Sequence, residues 1–159
     1  NSMWAAKLGL DTFTVSDEPL IRDLNLLLQE VETDMTIFFR LLCSLETPHV
    51  DSLVDAFYDP TTVPTEQWNA WLQRWWSRNE GSPNRSAMRK ANPKYVLRNW
   101  MAQLAIDAAE AGDFSVAERL YTLLRNPYDE QPEHEEEWFQ KRPEWARNRV
   151  GCSMLSCSS

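Results

Sequence analysis

The sequence predicts an all-α protein, a single helical bundle-like domain of about six or seven helices with an irregular acidic arm and a flexible C-terminal tail. Apolar residues recur at intervals of three and four over most of residues 1–128, which is the spacing of one face of a helix. Gly and Pro fall mainly between the apolar segments, where they signal turns. No segment alternates apolar and polar residues over four or more positions between turn signals, so no strand is predicted.

Most of the predicted helices begin at a capping residue or an early Pro, and most end at Gly or Pro. The first one, ending at Gly9, has no start signal, and we expect it to begin within a preceding part of a longer protein. Residues 82–90 are expected to form a loop and one helical turn, and 129–144 the acidic arm, with a turn near Trp138. In order, the predicted helices cover residues 3–8, 17–31, 33–47, 51–58, 65–78, 92–111 and 113–125.

Four of the eight Trp residues lie within Trp68–Trp76. Large aromatic side chains at helical spacing build a core or a docking face, whereas exposed ones could stack on bases or line a ligand groove. The spacing here favours core or inter-domain packing. Trp75 and Trp76 are adjacent and cannot both lie at the centre of one face, so one of them is a candidate contact to a neighbouring domain.

Composition excludes several classes of function. A net charge of −8 argues against binding to nucleic acid, which requires clustered Lys and Arg. No apolar run reaches the roughly 20 residues of a membrane span. No signal peptide is visible at the start, and three Cys residues do not make a disulfide framework, so a reducing compartment is expected.

The chain is predicted to hold no complete catalytic site and no cofactor site or metal site. It has no Gly-rich phosphate loop, no nucleophile elbow and only two His. The acidic segment 129–137 could bind a divalent metal, but it lacks a second nearby His and a calcium-loop spacing, which favours a solvated loop. Residues 112–121 look like one tetratricopeptide unit without a second copy, which leaves a non-enzymatic adapter domain as the alternative function.

The cysteines provide the one reactive feature. Cys157 lies two residues from the end of a small, polar segment, where a thiol is accessible, and it is the predicted redox residue. Cys152 is the second candidate, although the four residues between the two depart from a thioredoxin-type pair. Cys43 follows Leu42 on an apolar helix face and is expected to be buried and inert.

Several motifs resemble the selenoprotein O family. The segment 92–100 (NPKYVLRNW) looks like a family signature, and 124–128 (LRNPY) and 142–145 (RPEW) are similar to its next landmarks. The terminal Cys-Ser-Ser, 157–159, matches a family ending in which some members carry selenocysteine. The resemblance spans nearly the whole chain, and 47–90 adds little to it.

The resemblance implies that the parent protein has a protein-kinase-like fold and transfers AMP from ATP to Ser, Thr or Tyr hydroxyls of protein substrates, using Mg²⁺ or Mn²⁺. Its catalytic and ATP-binding residues would precede this chain, so the fragment alone is expected to be non-catalytic. The chain is then divided into a helical domain, 1–128, and an arm with a Cys-containing tail, 129–159. The kinase-like domain would be its partner, and Cys157 is expected to pair with a cysteine of that domain. The protein is expected in the cytoplasm if bacterial and in mitochondria if eukaryotic, with no nucleic-acid or membrane partner.

Overall fold

The computed structural model describes residues 2–152, and the regular secondary structure in this part of the chain is helical, as predicted, with one isolated β-bridge and no strand. It contains eight α-helices joined by short turns and 3₁₀ segments. The α-helices are α1 (Ser2–Leu8), α2 (Glu18–Glu30), α3 (Met35–Leu42), α4 (Thr65–Arg78), α5 (Arg85–Ala91), α6 (Asn99–Glu110), α7 (Ser115–Leu124) and α8 (Glu135–Trp138).

The chain divides into two compact units, Asn1–Asn92 and Pro93–Ser159. Helices α1 to α5 belong to the first unit and α6 to α8 to the second. The sequence predicted a single domain with a division after residue 128. In the structure, the residues on both sides of position 128 belong to the second unit, because the acidic arm shares a core with α6 and α7.

The Trp-rich helix α4 lies in the core of the first unit, which confirms the packing interpretation. Trp68, Trp71 and Trp75 are all buried. The indole N–H of Trp71 donates to the Leu20 carbonyl, and that of Trp75 donates to the Leu8 carbonyl, each at 2.8 Å. The indoles of Trp71 and Trp75 thus contribute apolar area and also bind a backbone acceptor, so they fix α4 against neighbouring segments, whereas the indole N–H of Trp68 is buried without a hydrogen-bond partner among the described residues.

The segment predicted as a helix over 51–58 is instead a 3₁₀ helix, Val50–Ala56. Its end is held by tertiary hydrogen bonds: the Asp34 N–H donates to the Ala56 carbonyl, and the Tyr58 N–H donates to the Glu32 carbonyl. These bonds surround the bridge between Thr33 and Phe57. The backbone groups that would extend a helix beyond Ala56 are therefore used by the segment before α3.

The helix predicted from residue 92 begins only at Asn99. Asn92 ends α5 in an extended conformation, as expected for a residue before Pro. The next two N–H groups, of Lys94 and Tyr95, both donate to the Pro127 carbonyl. A long-range contact therefore replaces the first turn of the predicted helix.

The second unit packs α6 and α7 as a helical hairpin, with residues of the arm completing its core. The predicted inward face of the longer helix is only partly correct: Trp100 is buried, whereas Leu97 and Leu104 are exposed. The arm is more regular than predicted, with helical turns at Pro132–His134, α8 and Glu144–Ala146. The core consists of Tyr95, Trp100, Met101, Leu120, Leu123, Trp138, Ala146 and Cys152.

Asp17 is a buried carboxylate that the sequence pattern did not reveal. Arg78 Nε donates to it at 2.6 Å, and the Thr14 N–H donates at 2.8 Å. The hydrogen bond from Arg78 is the main cause that lowers the pKa of Asp17, and burial opposes it without reversing the shift. A carboxyl group with a lowered folded-state pKa stabilises the fold above its unfolded pKa, and this contribution is lost as the pH falls through the folded pKa.

We therefore expect Asp17→Asn to reduce the free energy of unfolding at neutral pH and to flatten its dependence on pH between about 5 and about 2. The measurement is urea denaturation followed by circular dichroism across that range. Asp55→Asn, which removes an exposed carboxylate of the same unit, is the control. Equal pH slopes for the two variants would contradict a stabilising role of the Asp17–Arg78 pair.

Candidate functional site

The structure describes only one of the two predicted redox cysteines. Cys157 lies outside the described residues, so its role stays a prediction. Cys152 is the last described residue, and its side chain is fully buried as a free thiol in the core of the second unit. Cys43 is also buried and free, and burial raises the pKa of its thiol, as expected for an inert core cysteine.

An ion pair fixes the segment that ends at Cys152. Arg149 donates from both terminal nitrogens to the Asp107 carboxylate, at 2.7 and 2.8 Å, and Gln103 donates to the same carboxylate at 2.8 Å. The Cys152 N–H donates to the Arg149 carbonyl, and Cys152 Sγ lies 3.9 Å from the Asn99 carbonyl oxygen. These contacts join the last described residues to α6.

The burial of Cys152 limits its chemistry. Thiol–disulfide exchange requires access to an attacking or leaving sulfur. A fully buried thiol has to leave its core position before it can exchange with a partner. The structure therefore gives Cys152 a packing role, and its participation in redox chemistry stays a prediction.

Lys94, within the segment 92–100 that resembles a family signature, forms a polar cluster in the second unit. Lys94 is 4% exposed, and its Nζ donates to Glu130 Oε2 at 3.1 Å, to the Glu130 carbonyl at 2.8 Å and to Glu135 Oε2 at 2.7 Å. The ammonium also lies 5.3 Å from the centre of the Phe139 ring. We call Lys94 and its two glutamate partners the Lys94 cluster.

The electrostatics of the Lys94 cluster explain why a lysine can lie so deep. Burial alone would lower the pKa of Lys94, because it disfavours the charged form. Hydrogen bonds to Glu135 and Glu130 outweigh this cost, and the pKa is raised. Lys94 is therefore a permanent cation at neutral pH, which suits a structural ion pair and does not suit a general base.

Tyr95, the next residue along the chain, also binds the backbone of the acidic arm. Its hydroxyl donates to the carbonyls of Glu130 and Gln131, at 3.1 and 2.9 Å. Because the backbone N–H groups of Lys94 and Tyr95 bind the Pro127 carbonyl, two of the motifs quoted for the family resemblance are in direct contact. The sequence showed a lysine within the motif 92–100 and an acidic arm after the motif 124–128. Their spacing gave no sign that Lys94 would bind Glu130 and Glu135.

Between residues 2 and 152, no three His, Cys, Asp or Glu side chains are grouped so that they could hold a metal ion. Two carboxylates of the acidic arm bind Lys94 instead. No helix in the same range has the length and apolar character needed to cross a bilayer, and the longest, α4, has 14 residues.

Comparison with known proteins identifies the family. The model of the family described as protein adenylyltransferase SelO matches residues 1–125, which include the Lys94 segment and both helices of the α6–α7 hairpin. This chain belongs to the SelO family. The resemblance predicted from the sequence is thereby confirmed.

Relatives of this chain include bacterial proteins named protein nucleotidyltransferase YdiU. This chain is 48% identical to the one from Aromatoleum aromaticum and 50% identical to the one from Flavobacterium johnsoniae, and each alignment covers 99% of the chain and 32% of the relative. A relative from Xanthomonas campestris is 48% identical over 98% of the chain and 32% of its own length. The chain therefore spans about a third of the length of the curated SelO relatives it matches.

Proposed function

We propose that this chain is the helical C-terminal part of a protein adenylyltransferase, which transfers AMP from ATP to Ser, Thr or Tyr hydroxyls of other proteins. The observation that supports this proposal is the match to relatives named nucleotidyltransferase, at 48% and 50% identity over nearly the whole chain. The family description adds the adenylyl group as the one transferred. These names favour the enzyme over the adapter domain as the parent protein, and the bacterial relatives favour a cytoplasmic location.

In this proposal, the kinase-like portion of the parent binds ATP with Mg²⁺ or Mn²⁺ and carries the catalytic residues. The helical part packs on that portion and carries Cys157 towards it. Cys157 regulates the enzyme by forming a disulfide with a cysteine of the kinase-like portion: two thiols lose two protons and two electrons to an oxidant such as oxidised glutathione. The disulfide restrains the active-site region, and reduction releases it. Contacts between α6 and the segment from Arg149 to Cys152 would hold the chain in place five residues before Cys157.

The redox role is tested in the full-length protein with Cys157→Ala. AMP transfer is measured as label incorporated into protein from α-labelled ATP, after equilibration with oxidised or reduced glutathione. We expect the wild-type activity to differ between the two conditions and the activity of Cys157→Ala to be the same in both. Cys43→Ala, which removes a buried thiol, should keep the wild-type difference. Identical behaviour of wild type and Cys157→Ala under both conditions would contradict the regulatory role.

The fragment alone is expected to bind no ATP and to transfer no AMP, because the proposed nucleotide site lies in the kinase-like portion. Isothermal titration of the 159-residue chain with ATP and Mg²⁺ checks this prediction, and the full-length protein is the positive control. A saturable heat signal from the fragment would show that part of the nucleotide site lies within it.

A further inference from the structure

The first unit carries a groove that its own core does not fill. The groove has a volume of about 410 Å³ and lies between α1, the following loop and α2. Its apolar walls are formed by Trp4, Phe13, Ile21 and Leu26. Trp4 and Phe13 are only partly buried, so their rings are in part available to a partner.

Leu26 is the residue that sets this surface apart from the core. Leu26 is 59% exposed, whereas the other large apolar residues of α2 are buried: Leu20, Ile21, Leu24, Leu27 and Leu28. Trp4, Phe13 and Leu26 therefore leave apolar side-chain surface exposed around one groove, and exposed apolar surface gathered in this way marks an interaction site.

The shape and border of the groove favour a protein segment over a small molecule. Small-molecule pockets bury most of the surface of the ligand, whereas one wall of this groove is a side chain that is more than half exposed. Glu18 and Arg22, one helical turn apart on α2, border the apolar walls. An apolar floor with a polar border is the surface on which the apolar face of an amphipathic helix docks.

The length of the relatives indicates where that segment comes from. About two thirds of each relative lies outside the matched chain. A segment joined covalently to its binding site has a high effective concentration, so even a modest apolar groove is filled by it in preference to a free partner. We infer that the groove between α1 and α2 holds an amphipathic segment of the catalytic portion of the same polypeptide. This inference rests on the proposed function for the identity of that portion.

The test uses the full-length protein with the photo-crosslinking residue p-benzoyl-phenylalanine placed at Leu26, and in a second variant at Arg22. The matched control carries it at Gln73, an exposed position on α4 of the same unit. Circular dichroism melting curves establish that each variant folds like the wild type. After irradiation, cross-linked peptides are identified by mass spectrometry, and AMP transfer is measured in parallel.

We expect both groove positions to give a severalfold higher yield than position 73 of cross-links to peptides of the same polypeptide outside these 159 residues. Cross-links between two copies, seen as a doubled mass on a denaturing gel, would overturn the inference in favour of a dimer. Yields no higher than at position 73 would also overturn it. An intramolecular cross-link in a protein without AMP transfer would contradict the proposed function and support the docking groove.

Discussion

Replacing Trp75 by Ala is expected to lower the free energy of unfolding of the first unit by about 3–5 kcal/mol, the usual cost of removing a buried Trp. Trp75 is fully buried, and its ring stacks on that of Trp71 with the centroids 6.3 Å apart. The substitution also removes the hydrogen bond from its indole N–H to the Leu8 carbonyl, which holds the end of α1. The measurement is urea denaturation followed by circular dichroism and by amide hydrogen exchange of α4.

The neighbouring Trp76 provides the matched control. Its ring is partly exposed and contacts Trp75 and the turn at Gly81. We expect Trp76→Ala to cost about 1 kcal/mol, as is typical for a side chain outside the core. Trp75→Phe should fall between the two, because it keeps an aromatic ring but loses the hydrogen bond. Equal costs for Trp75→Ala and Trp76→Ala would contradict the packing described for α4.

Lys94→Ala is expected to destabilise the second unit by about 2 kcal/mol, because it removes charge-assisted hydrogen bonds to Glu130 and Glu135. The cost is below that of breaking a fully buried ion pair, since both carboxylates are about half exposed and can be hydrated. Hydrogen exchange should increase most in the arm around α8, which loses its attachment to the Lys94 segment. The measurement combines urea denaturation with exchange of the amides of 130–139.

Two further measurements separate charge from packing in the Lys94 cluster. Lys94→Met keeps most of the apolar stem and should cost less than Lys94→Ala. Because the pKa of Lys94 is raised in the folded protein, its contribution is fully present below its unfolded pKa and is lost as the pH rises through the folded pKa. The difference between wild type and Lys94→Met should therefore shrink at strongly alkaline pH. A difference that is constant with pH would assign the effect to packing alone.

The sequence predicted helices best where the end signals were local. Asp34 caps α3 by accepting a hydrogen bond from the Ile37 N–H, and the start of this helix was predicted within one or two residues. Asn92 and Pro93 carry an equally strong start signal, yet no helix begins there, because the following N–H groups bind the Pro127 carbonyl. A capping signal describes what a segment favours in isolation, and a long-range acceptor can outweigh it.

The cysteines also show that local sequence signals do not predict the environment of a candidate site residue. Composition predicted a polar tail with two candidate redox residues, and it could not distinguish a thiol in solvent from one in a core. The structure places Cys152 in the core because Ala146 and Trp138 of the arm pack there with it. Small residues such as Gly151 and Cys152 are compatible with either environment, so only the contacts decide between them.

Periodicity and motifs predicted the helical class, the Trp core of α4 and membership of the SelO family, because both are properties of residues close together in the chain. The division into two units, the partners of Lys94 and the burial of Cys152 could be read only from the folded structure. These features depend on pairs such as Lys94 and Glu135, 41 positions apart, for which residue type and spacing carry no signal of contact. The free energy that favours this pair comes from hydrogen bonds that offset the cost of burying the Lys94 charge, and those bonds exist only once the chain has folded.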